Sequence, residues 1–182
     1  MIPLTKKEQK ELVRLMNKLS FPAPLSVFEA WCRIFGTVCA EIAVIKNKDK
    51  NPEIFLTYRK DKFFKGWHIP GRVCIPTEKI SNTLRRVYEE EIKMSIAKQK
   101  FFDWFERPFG KGMGQSPRGH EFSFVFMAES KNKVRENSTE KFFPLNKLPK
   151  DLILSQMPIV EKLLNFYNSQ IKTPKQSTTW EF

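Results

Sequence analysis

Glu78, Arg86 and the run Glu89-Glu90-Glu91 bring four carboxylates and a guanidinium into fourteen residues, just after the turn-forming Pro70-Gly71. Laid on an α-helix at about 100° per residue, Val87, Glu90 and Glu91 fall within about a third of the circumference, with Thr83 on the same side and Glu89 opposite. Two adjacent acids on one face, with Glu78 at the loop–helix junction, form an oxygen-rich site suited to Mg²⁺ or Mn²⁺. Arg86 lies four residues before Glu90, where an i,i+4 pair would orient that carboxylate. The same spacing also serves a solvated acidic face with surface ion pairs. A hard cation held this way grips a pyrophosphate, so the leading chemistry is that of phosphates.

Basic residues on both sides could meet such a ligand: Arg59, Lys60, Lys62 and Lys65 before the acids, Lys111 and Arg118 after them. Each is equally at home on a solvated surface. His68 reads as structural, whereas His120, at a loop-to-strand junction, could act as acid or base. Cys74 lacks a paired His and Asp at a recognisable spacing and reads as a small apolar residue. Trp67, Trp104 and Phe109 are candidates to stack on a nucleobase, with core packing as the alternative.

These groups need a scaffold. Thr5-Lys6-Lys7-Glu8 has the form of a capping box, and Leu12, Leu15, Met16 and Leu19 follow at helical spacing, so residues 5–19 are expected to be an amphipathic helix. Pro22 and Pro24 end it, and Val27, Phe28, Trp31, Ile34 and Phe35 suggest a second helix stopping near Gly36. Val38 to Ile45, apolar except for Glu41, and Ile54 to Tyr58 read as a hairpin of strands. Ile80, Leu84, Val87 and Tyr88 mark the buried stripe of a helix over about 79–92. Residues 101–107 are strand-like, 109–119 form a long glycine-rich loop, and Phe122, Phe124 and Phe126 alternate along another strand. Residues 130–141 read as a polar connection, Ser155 as the cap of a last helix, and the tail from Lys172 as frayed.

One domain with a real core suits 182 residues. Thirty-two Lys and Arg against twenty Asp and Glu leave a net charge of +12, which favours anionic ligands such as nucleotides, sugar phosphates or RNA. Cys32, Cys39 and Cys74 are odd in number and lack C-x-x-C spacing, so neither a disulfide framework nor a zinc knuckle is expected, and a cytoplasmic location fits. No apolar run approaches the length of a membrane span, so neither export nor a membrane partner is expected.

The chain from Gly66-Trp67-His68-Ile69-Pro70-Gly71 to Met94 resembles the Nudix hydrolase signature, G-x5-E-x7-R-E-U-x-E-E-x-G-U with U a bulky apolar residue, and its usual G-W-x-x-P-G entry. Aligned without gaps, Arg72 takes the first Gly position, Glu78 the first Glu, Arg86 the Arg, Val87 the next Glu, Tyr88 the first U, Glu90 and Glu91 the Glu pair, Lys93 the last Gly and Met94 the final U. Pro117-Arg118-Gly119-His120 and Phe143-Pro144-Leu145-Asn146-Lys147-Leu148-Pro149 also look like the family, so the resemblance covers about residues 38–168. It implies an α/β/α sandwich with a mixed sheet at 37–170, an extra N-terminal helical segment at 1–36 packed on it, and a flexible tail at 171–182. It further implies cleavage of a diphosphate in a nucleoside diphosphate linked to another moiety, such as a nucleotide sugar, with Mg²⁺ or Mn²⁺.

Within the resemblance Glu90 and Glu91 are metal ligands, Glu78 a supporting or additional ligand, and Arg86 the residue that holds a carboxylate in place. Arg59, Lys62, Arg72 and Arg118 are the substrate-binding candidates. The general base is open among Glu106, Glu121, Glu136 and Glu140. Val87 removes one usual metal carboxylate. Arg72 places a side chain where the loop turns tightly, or supplies a phosphate contact, and Lys93 stands where Gly would end the helix in a left-handed cap. A nucleotide-binding sensor without catalysis and an RNA-binding or cap-removing protein are the alternatives, and a homodimer is a further expectation for the family.

Overall fold

The structure, a computed structural model, describes residues 3–47, 51–93, 96–130 and 136–172. Met94 and the tail beyond Lys172 lie outside the described residues. A mixed sheet of seven strands carries the fold: β1 (Thr37–Lys46), β2 (Glu53–Lys60), β3 (Lys65–His68), β4 (Gly71–Val73), β5 (Ile96–Arg107), β6 (Glu121–Ser130) and β7 (Glu140–Pro144). The main path runs β3-β2-β1-β6-β5, with β4 pairing β1 and β7 pairing β2. β1 and β6 are parallel, and every other pairing is antiparallel.

Alternation along β1 sorts the core onto two faces. Ala43 and Ile45 join Ile54, Leu56, Trp67, Val125 and Met127 beneath the last helix, α4 (Met157–Lys172), which contributes Ile159, Val160 and Leu163. Ala40, Ile42 and Val44 face the other way with Phe55 and Phe142, against Leu84 and Val87 of α3 (Ile80–Val87). The result is the expected α/β/α sandwich. Val87 is fully buried there, which explains an apolar residue at that position.

The N-terminal segment behaves in two ways. α1 (Lys6–Met16) carries the predicted capping box, with the Glu8 N–H donating to Thr5 Oγ1 at 3.3 Å and the Thr5 N–H to Glu8 Oε2 at 2.8 Å. It buries no residue, whereas α2 (Leu25–Ile34) buries Cys32. α2 sits so close to the 109–119 loop that a Cβ at Gly119 would lie 2.0 Å from the Cys32 carbonyl oxygen. Lys62, on the turn after β2, ties it down through an ion pair of 2.6 Å with Glu29.

Three local expectations give way to longer-range partners. β7, whose first two residues fall in the expected polar connection 130–141, is a strand because Phe142 and Phe143 pair with Phe55 and Ile54 of β2. Ser155 caps no helix; it is buried in a short 3₁₀ turn, Leu154–Gln156, that leads into α4. The helix predicted over 79–92 is α-helical only to Val87 and then widens to a π turn, Tyr88–Ile92, which carries all three consecutive acids. Such turns recur at functional sites.

Candidate active site

β1 divides its partners along one edge. Near its end Ile45 and Lys46 pair with β2, while Cys39, Ala40 and Glu41 pair with Val73, Arg72 and Gly71 of β4. A cleft of about 1070 Å³ opens over this division. Gly71 is required by close approach, since a Cβ there would lie 2.5 Å from Glu41 Cγ. From β4 the chain turns through Ile75-Pro76-Thr77-Glu78, closed by the Glu78 N–H donating to the Ile75 carbonyl at 2.9 Å. Pro76 and a positive φ of 69° at Thr77 follow the pattern of a type II turn, with Thr in the position that favours Gly.

Glu78 is held from four directions. Its carboxylate accepts from Arg86 Nε at 2.9 Å and Nη2 at 2.7 Å, from the Thr83 hydroxyl at 2.7 Å and from the Ile75 N–H at 3.0 Å. The Arg86 guanidinium, assisted by the other donors, lowers its pKa to about 2. Arg86 also donates to the Val73 carbonyl at 3.2 Å. The anticipated Arg86–Glu90 pair is therefore replaced by a bidentate bond that pins the loop to α3, the stronger geometry of the two.

Glu90 and Glu91 meet Arg72 instead. Its Nη2 lies 2.6 Å from Glu90 Oε2 and its Nε 3.2 Å from Glu91 Oε1. Glu91 also accepts from the Gly71 N–H at 3.2 Å, and burial pushes its carboxyl above the usual range. Glu89 is exposed on the far side. Lys93 ends the π turn in the left-handed conformation, φ 51°, with its N–H donating to the Tyr88 carbonyl at 2.8 Å. The glycine-type cap is thus kept without glycine.

Of the basic candidates, Arg59 lines the cleft, pairing with Asp61 and stacking 4.7 Å over the Phe64 ring. Lys60 lines it too, whereas Lys62 and Lys111 do not. Arg118 reaches the same wall but is buried and paired with Glu121, its guanidinium 5.7 Å from the Phe28 ring. Among the base candidates Glu106 pairs with His120 at 2.8 Å, Glu136 with Lys46 at 3.3 Å, and Glu121 is buried. Glu140 lines the cleft, accepting one bond from Asn137 Nδ2 at 2.7 Å. His120 lies outside the cleft, stacked on Phe122, and Cys74 lines it with a thiol that burial pushes up. Trp67 is core, and Trp104 and Phe109 are exposed elsewhere.

Two features escaped the residue pattern. The far wall of the cleft comes from the N-terminal segment, with Phe21, Phe28 and Trp31; the i,i+3 spacing of the last two aromatics was its only signal. Behind β4 lies a buried charge network, where Arg107 meets Glu41 at 2.8 and 3.0 Å and Glu121 at 3.6 Å. Glu41, the lone acid in the apolar β1 run, was the trace of it.

Among the described residues no group of three or more His, Cys, Asp or Glu side chains is placed to hold a metal. Two carboxylates on one wall nevertheless fit a hard divalent cation of the Mg²⁺ kind, which keeps several waters and takes one or two carboxylates together with substrate phosphates. None of the helices among the described residues is long and apolar enough to cross a membrane.

The family model for the NUDIX domain matches residues 38–163. No curated protein matches the chain. Among solved structures, the NUDIX domain of Shewanella oneidensis NrtR complexed with ADP ribose is similar at a TM-score of 0.56 and 14% identity, over 72% of this chain and 88% of that one. A MutT NUDIX hydrolase from Burkholderia pseudomallei matches at 0.55 and 18%, over 71% and 98%. An ADP-ribose pyrophosphatase from Streptococcus suis matches at 0.50 and 17%, over 81% and 97%. Likeness at these identities shows a shared fold.

Proposed function

Since this chain belongs to the NUDIX domain family, we propose that its cleft binds a nucleoside diphosphate linked to another moiety and hydrolyses the diphosphate linkage. The observation that carries the reading is that one cleft is lined by Glu90 and Glu91, by Arg59 and Lys60, and by Phe21, Phe28 and Trp31. Phosphates suit the charged residues of this lining and a planar base the aromatic ones. The ADP ribose and ADP-ribose pyrophosphatase named for two of the similar structures agree with this ligand class.

Glu90 and Glu91 would hold Mg²⁺ or Mn²⁺ jointly with the ligand's phosphates. When bound, such a cation would neutralise charge on the diphosphate as the leaving group departs. The saturation of Glu78 by four donors supports a positioning role for it and for Arg86, keeping the signature loop beside the acids. Arg59, Lys60 and Arg72 bind phosphate oxygens. Glu140 takes the proton of a water that attacks phosphorus, the new P–O bond forming as the bond to the bridging oxygen breaks.

A panel of nucleotide diphosphates, dinucleoside polyphosphates and capped RNA, incubated with Mg²⁺ or Mn²⁺, tests this. Turnover of at least one class is expected, with Glu90→Gln or Glu91→Gln lowering kcat at least about 100-fold. Full activity in either variant would remove the metal assignment. Arg72 lying across both acids, with Val87 in place of a third, favours a second reading: a nucleotide-binding module without turnover. Ligand-induced thermal stabilisation with no product from any compound would select it.

A further inference from the structure

Resting on the diphosphate reading above, we propose that Arg72 is a built-in counter-ion for the acid pair: it and a divalent cation exclude one another at Glu90 and Glu91, and the ligand's diphosphate draws it away. Three observations converge on this. Arg72 contacts both carboxylates at once, at 2.6 and 3.2 Å, in the space a shared cation would need. A dication and a guanidinium cannot both sit there without strong repulsion.

The clamp is also incomplete. Arg72 Nε is buried yet makes no hydrogen bond, because its approach to Glu91 is out of line; it is the single such side-chain nitrogen or oxygen among the described residues. A buried donor without an acceptor favours any state that supplies one, and a phosphate oxygen does so bidentately.

Finally, the clamp can open cheaply. The Glu90 side chain is 48% exposed and that of Arg72 32%, so their bond is a surface pair of small net worth. The backbone of Arg72 is fixed opposite Ala40 on β1, so opening is a swing of the side chain into the cleft that it already lines. Cation and diphosphate then favour one another's binding, each helping to displace or receive the same guanidinium, and linkage makes that coupling reciprocal.

Mn²⁺ binding to the full-length protein, followed by electron paramagnetic resonance, tests the exclusion without turnover. In the absence of nucleotide, Arg72→Ala and Arg72→Gln are expected to bind Mn²⁺ about tenfold tighter than wild type, the size of a typical coupling. Adding Glu90→Gln to Arg72→Ala should abolish the gain. With saturating α,β-methylene-ADP, and after correction for Mn²⁺ held by the analogue in solution, affinity should rise in every form through the shared phosphates, and at least about threefold more in wild type than in the variants. Unchanged or weaker Mn²⁺ binding in both folded Arg72 variants overturns the exclusion. Failure of the analogue to bind any form overturns the diphosphate reading and the coupling with it, while the nucleotide-free comparison still decides whether Arg72 and cation compete.

Discussion

Two arginines in this molecule each stand between two glutamates, and they are opposites. Arg107 reaches Glu41 and Glu121, also donates to Ser123 Oγ at 2.8 Å and the Ser155 carbonyl at 3.2 Å, and is 3% exposed. Arg72 reaches Glu90 and Glu91 from a half-open position and leaves a buried donor idle. They are near neighbours across β1, since Glu41 pairs with Gly71 and Ala40 with Arg72. The same two residue types thus make a structural rivet where each guanidinium nitrogen has a partner and the group is buried, and a more open clamp where neither holds.

The largest break in that contrast should come from Arg107→Met. Glu41 left buried without its guanidinium, with Glu121 reduced to its pair with Arg118, costs about 3–5 kcal/mol, measurable by urea unfolding. Arg72→Ala should cost under about 1 kcal/mol in the same assay. Equal losses would mean that burial and saturation do not separate the two clamps. Glu78→Ala falls between them, at about 2 kcal/mol, because it strands the guanidinium of Arg86 and the Ile75 N–H.

Acid titration sharpens the picture. Burial, aided by the Arg59 charge, lowers His68 from 6.5 to about 4. The unfolded chain therefore takes up that proton first, and stability present above pH 6.5 is lost as the pH falls toward about 4. Glu78, lowered from 4.5 to about 2, keeps its contribution above pH 4.5 and loses it as the pH falls toward about 2. Stability should decline in two successive steps, the first flattened by His68→Phe and the second by Glu78→Gln. One decline unmoved by either substitution would contradict both assignments.

The smallest effect concerns the caps beside the acids. Lys93→Gly should stabilise by about 0.5–1 kcal/mol, because the left-handed φ is strained only for a residue with a Cβ. A loss of melting temperature there would show that the Lys93 side chain contributes more than its backbone costs.

What could be read in advance tracked the range of the interactions. The capping box at Thr5 and the stripe Ile80–Leu84–Val87 are local patterns, and they stand where periodicity puts them, whereas the run of acids falls on a π turn that periodicity did not foresee. The Arg86–Glu90 pair failed although the helix allows it, because Glu78 folds back over the loop with better geometry. The Arg107 clamp draws on β1, β5 and β6, so only the register of three strands brings its members together. Strand β7 and the aromatic wall from α2 were obscured for the same reason: their partners are distant in the chain.

The parallel pairing of β1 with β6 has a consequence for how the molecule is made. Thr37 meets the carbonyl of His120, 83 positions later, before the two strands run side by side. The signature loop, α3 and the acids all lie on the ring that this contact closes. Hairpins such as β2–β3 and β5–β6 can form on their own, but ring closure over that distance is slow. Assembly of the cleft is therefore expected to follow that closure, because its acids and signature loop lie within the ring.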